Sequence, residues 1–177
     1  MGDFVKGQVP LDLPIELRRY LQLHRRIDAY TQQSFAFQKS RRRLDPRFRY
    51  ARSVLVDVFY DHFLACNWRQ YSDQPLAAFA QDVYQGLKTC YDYLPAPLQQ
   101  QLPRMIEHDW LTSYQNNDVV LRVLQRLEVR LQHKFPLAQG IVELDKYRQE
   151  LENDFAAFMI EATDFTACWQ EEQNLSS

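Results

Sequence analysis

The sequence reads as an all-α protein, a single-domain helical bundle of about six or seven helices. Three observations lead there. Its 177 residues include only four glycines, fewer than the turns and phosphate loops of a β or α/β protein of this length need. Asp12 with Pro14, and Asp45 with Pro46, stand where helices start, the aspartate capping and the proline filling a first turn whose N–H is unused. No segment shows the strict alternation of a half-buried strand. Hydrophobic residues make up 46% of the chain, enough for a real core and too many for a disordered one.

The first helix is expected over about 13–33, where Leu17, Tyr20, Leu21 and Ile27 recur at helical spacing. A second opens at Pro46 and runs to about residue 68. Its middle is nearly unbroken apolar sequence, which makes it central and buried on most sides. A third covers about 75–93. The stretch LPAPLQQQLPRM, 94–105, then breaks the pattern with three prolines. Helical spacing resumes through MIEHDWLTSY, breaks at Asn116–Asn117 and resumes over 118–132. Gly140 separates a last long helix, about 141–169. Repeats, low-complexity tracts and linkers are all lacking, so residues 1–177 read as one domain.

Composition narrows the function classes. No run of about 18 apolar residues is present, so no helix spans a membrane, and MGDFVKGQVP has no apolar signal core. Cys66, Cys90 and Cys168 are odd in number and scattered, which argues for buried free thiols in a reducing, cytoplasmic setting. Net charge is −2 but unevenly laid out. Seven basic residues (Lys39, Arg41, Arg42, Arg43, Arg47, Arg49 and Arg52) lie between 39 and 52 with Asp45 as the one acid among them. From residue 141 onward nine acids face only Lys146 and Arg148. The basic run is either a solvated face, with Arg43 or Arg49 bridging to the acidic last helix, or a docking surface for an acidic macromolecule. A nucleic-acid motif is not visible.

Histidines and carboxylates gather in two places. In HRRIDAYT, 24–31, His24 and Asp28 stand at i and i+4 and emerge on one helical face. In DVFYDHF, 57–63, Asp57 and Asp61 repeat that spacing, with His62 directly after. Each pair alone reads as an ion pair or packing detail. Asp57, flanked by apolar residues, is expensive to bury without a partner, whether an arginine or a metal ion. Taken together, the groups suit a hard or borderline divalent ion, which activates water for hydrolysis and neutralises a phosphoryl oxygen. His108–Asp109 precedes Trp110 near a helix start and reads as structural.

Several of these stretches carry a resemblance. GDFVKG at 2–7, LHRRIDAYT at 23–31, RFRYARSVLVDVFYDHFLACNW at 47–68 and DWLTSY at 109–114 resemble, in order and spacing, the acyl-carrier-protein phosphodiesterase family, a distant HD-domain-like branch of metal-dependent phosphohydrolases. The resemblance implies an all-α fold and hydrolysis of 4′-phosphopantetheine from holo acyl carrier protein, an acidic protein substrate, with Mn²⁺ or alternatively Mg²⁺. It implies a metal set of Asp3, His24, Asp28, Asp57 and Asp61. From charge alone, His62, beside Asp61, would ligate or act as the acid toward the leaving serine oxygen, and Arg25 or Arg26 would hold phosphate oxygens. Arg41, Arg42, Arg43, Arg47 and Arg49 would meet the carrier. Family members begin about twenty residues earlier, which implies that Asp3 lies near a chain end, where order is lost first. Two other functions fit the same features: hydrolysis of a small nucleotide or phosphate ester, and carrier binding without catalysis.

Overall fold

The computed structural model describes residues 7–10 and 13–175, with side chains described through residue 171. Among the described residues the chain forms nine α-helices and no strand: α1 Ile15–Gln33, α2 Phe35–Arg43, α3 Arg52–Cys66, α4 Leu76–Thr89, α5 Ala96–Glu107, α6 Trp110–Ser113, α7 Asn117–Arg130, α8 Ile141–Lys146 and α9 Arg148–Leu175. The all-α expectation holds. The helix number is larger because α2 and α5 form where no helix was expected and the last long helix is divided into α8 and α9.

Ser34 separates α1 from α2, a helix the sequence pattern did not reveal. Its N–H closes α1 on the carbonyls of Tyr30 and Thr31, and its Oγ accepts from the Phe37 N–H to open α2. One small residue therefore ends one helix and caps the next. Asp45 caps as expected, its carboxylate accepting from the Arg47 N–H at 2.8 Å. Pro46 starts a 3₁₀ turn over Pro46–Ala51 rather than the α-helix itself. Arg49 sits there at φ 50°, ψ −123°, a left-handed conformation that β-branched and most other side chains avoid, and it re-aims the chain into α3. The last long helix is likewise split, at Tyr147 between α8 and α9.

The proline-rich stretch is a correction. Residues 96–107 are helical despite Pro97 and Pro103. Pro97 lies in the first turn, where no donor is lost. Pro103 removes one interior donor, but Leu98 and Leu102, one turn apart, are buried with Leu94 in a small cluster that includes Leu87, Met105 and Ile106. Burial of that stripe outweighs the proline.

α3 is the hub, packed against α2, α7 and α9. Leu55, Val56, Phe59 and Phe63 are essentially inaccessible, and Phe37, Phe48, Leu124, Leu144 and Phe155 close around them. Tyr60 meets Phe37 and Phe155 edge-on, with centroids 5.8 and 5.3 Å apart. Gly140 stands where a helix must approach this hub: a Cβ there would lie 2.3 Å from Leu55 Cδ2. Polar ties fasten the outer helices. The buried Asp154 of α9 accepts from Arg43 Nε and Lys39 Nζ, each at 2.8 Å, and from Ser40 Oγ. Glu143 accepts from the Asp45 N–H. No helix among the described residues is long and apolar enough to cross a membrane.

Candidate functional site

On α3, opposite its apolar surround, Asp57 and Asp61 share one face, both exposed. Asp57 is therefore not a buried carboxylate in need of a counter-ion. Its apolar sequence neighbours turn inward while it turns out, as 100° per residue requires. Both aspartates make further polar interactions. Asp61 borders a cleft of about 150 Å³ whose other walls are apolar, including Leu64, Trp68, Phe79, Leu111 and Tyr114. Burial, and then the negative charge of Asp61, push the Tyr114 phenol well above its ordinary range, so Tyr114 stays protonated and able to donate.

His62 points away from that face into the interior. Its Nδ1 lies 2.7 Å from the Tyr114 carbonyl oxygen and its Nε2 3.1 Å from Arg148 Nη1. A guanidinium only donates, so Nε2 is the acceptor and Nδ1–H donates to Tyr114. Desolvation, countered by the Tyr114 carbonyl and reinforced by Arg148, holds His62 below the usual imidazole value and neutral. Both ring nitrogens are occupied. In this arrangement His62 braces the Tyr114 turn against α9 and faces no open space as an acid or a ligand. Arg148 continues to Asn117 Oδ1 at 3.2 Å and Asp145 Oδ1 at 3.5 Å. Sequence reasoning passed over Arg148 and Tyr114. The available signal was that Arg148 is one of two cations in an otherwise acidic tail.

His24 and Asp28 form the other pair. His24 Nε2 lies 3.3 Å from Asp28 Oδ2 on α1, with His24 half-buried, its Nε2 covered from solvent, and Asp28 exposed. Arg25 is half-buried and Arg26 exposed on the same helix, and each is engaged in further polar interactions. Asp3 lies outside the described residues. Among those described, no three His, Cys, Asp or Glu side chains converge to hold a metal. The described residues offer donors in pairs at i and i+4: His24 with Asp28, and Asp57 with Asp61. Such pairs do not make a closed cage of the structural-zinc kind. They do suit a hard ion that keeps several waters and arrives with a phosphate, since Mg²⁺-type ions are commonly held by one or two carboxylates plus phosphate oxygens.

The basic segment divides. Arg43 is held by Asp154, the bridge to the last helix that its position allowed. Arg47 leans on Asp45 at 3.8 Å and over the Phe48 ring at 4.8 Å. Arg42 and Arg49 face solvent and Arg41 is half-buried. The thiols are free as expected but not buried: Cys66 and Cys168 are exposed and Cys90 is half-buried. Asp109 is structural as expected. It accepts from Tyr84 Oη at 2.9 Å and from Thr112 Oγ1, which locks its left-handed backbone (φ 42°) before α6.

The sequence model of the family described as acyl carrier protein phosphodiesterase matches residues 1–162. Curated proteins of that name resemble the chain over 159 residues, 89% of it and 82% of each relative. The protein of Klebsiella pneumoniae (strain 342) is 30% identical, that of Pectobacterium atrosepticum 26% and that of Yersinia pestis 26%. No solved structure matches.

Proposed function

The chain belongs to the acyl carrier protein phosphodiesterase family, and from that premise we propose that it hydrolyses the phosphodiester joining 4′-phosphopantetheine to a serine of holo acyl carrier protein, releasing apo carrier. Family membership over residues 1–162 carries the reading. The site geometry supports it at Asp61, where an exposed carboxylate, a protonated Tyr114 phenol and an apolar cleft meet.

In this reading Asp61 orients the attacking water. Tyr114 donates to a phosphate oxygen. The cleft walls, Trp68 and Phe79, exclude bulk water beside the reacting bond. His62 and Arg148 act at one remove by fixing the Tyr114 backbone. A Mn²⁺ or Mg²⁺ ion would be held by Asp57 and Asp61, or by His24 and Asp28 together with Asp3. When bound it would lower the pKa of its water and neutralise phosphoryl charge.

Incubation with holo carrier protein and Mn²⁺, followed by intact-mass measurement of the carrier, tests the proposal. Loss of the phosphopantetheine mass is expected. An unchanged carrier mass, with turnover of small phosphate esters instead, would sink it and favour a small-molecule phosphohydrolase.

A further inference from the structure

Four arginines far from the 39–52 run share one trough. Arg122, Arg126 and Arg130 stand at i, i+4 and i+8, one exposed stripe about 12 Å long on α7 at 1.5 Å per residue. Arg104 of α5 faces Arg126 across the end of the trough. Among the described residues no side-chain hydrogen bond or ion pair engages any of the four guanidinium groups; even Asp118, one turn before Arg122, does not pair with it. The trough has two connected parts, about 670 and 380 Å³, which share His108, Trp110 and Arg126. Its floor is apolar: Trp110, Val119, Val123 and Leu127 are half-buried along it.

A row of cations above an apolar floor differs from a phosphate pocket. A single phosphate needs donors converging on one point. A row repeating every helical turn matches carboxylates repeating every turn on a facing helix, while the floor takes that helix's apolar stripe. Tyr114 gives the trough its place. It lines both the larger part of the trough and the Asp61 cleft, so whatever lies along α7 ends beside Asp61.

We propose that the α7 trough is the docking surface for an acidic amphipathic helix of a protein partner, with Arg104, Arg122, Arg126 and Arg130 meeting its carboxylates. Resting on the phosphodiesterase reading, that helix belongs to the carrier protein, and docking there delivers its modified serine past Tyr114 to the Asp61 cleft.

The test measures binding of holo carrier protein by calorimetry to the full chain, the Arg122→Glu/Arg126→Glu variant and the Arg41→Glu/Arg42→Glu variant. Circular dichroism confirms that each is folded. The α7 variant is expected to weaken Kd at least tenfold and flatten its salt dependence, while the Arg41/Arg42 variant stays within twofold. Arg122→Lys/Arg126→Lys, which keeps the charge, should restore most of the affinity. Unchanged affinity in the α7 variant, with a loss in the Arg41/Arg42 variant, overturns the trough and leaves the phosphodiesterase reading standing. A wild-type chain that neither binds nor cleaves the carrier overturns both.

Discussion

Asp61 and His62 are sequence neighbours with opposite fates, and this difference decides what each can do. Asp61 faces the cleft, so Asp61→Asn should lower carrier hydrolysis by about 100-fold or more, in the range lost with a positioned catalytic group; steady-state rates against holo carrier check it, with a melting temperature near wild type. His62 is buried and neutral, with its pKa held below the ordinary value near 6.5. The unfolded chain therefore takes up this proton first as pH falls. The contribution of His62 to stability is complete above about pH 6.5 and fades as pH drops toward its folded value. Urea unfolding across pH 5 to 8 should show this slope, and His62→Gln should flatten it. The spacing of DVFYDHF places its two aspartates and His62 on α3, and period alone indicates which face the two aspartates share. The partners of His62, the Tyr114 carbonyl and Arg148, stand 52 and 86 residues away. No local pattern reveals pairings of that reach.

Helix boundaries show a similar division between local and distant causes. Asp45–Pro46 was readable because a cap acts within three residues. Residues 96–107 were not, because the apolar packing that outweighs Pro103 involves side chains outside that helix, such as Leu87 and Leu94. Gly140 reads in sequence as a separator between helices. In the fold it is a point of close approach, with backbone angles (φ −62°) that any residue accepts. Gly140→Ala should therefore destabilise by about 1–3 kcal/mol through overpacking against Leu55, with no contribution from backbone strain. Adding Leu55→Ala should return part of that loss, a coupling that a double-mutant cycle measures. On α9, Asp154→Ala removes the acceptor of two cations and Ser40. It should cost about 2–3 kcal/mol in chemical unfolding, since hydrogen bonds to charged groups are the stronger kind.

Across the molecule the packing is uneven. The main core gathers around α3, whereas α4 and α5 share a separate cluster of three buried leucines. Free energy of local opening follows buried apolar contact, so amide exchange should be faster in α5 than in α3, and Leu98→Ala should accelerate it in α5 while leaving α3 protected. The basic and acidic halves legible in the sequence also meet as expected, at Arg43 and Asp154. That contact binds the fold together and takes Arg43 out of the basic run, while the cations of α7 remain exposed. The placement of the tryptophans gives the molecule built-in optics. Of its three, Trp68 lines the Asp61 cleft, Trp110 lines the α7 trough, and Trp169 is buried on α9. Filling the cleft should change the emission of Trp68 alone, and covering the trough that of Trp110 alone, against the steady glow of Trp169. With Trp68→Phe or Trp110→Phe, the two events become separate colour shifts, each read without a label.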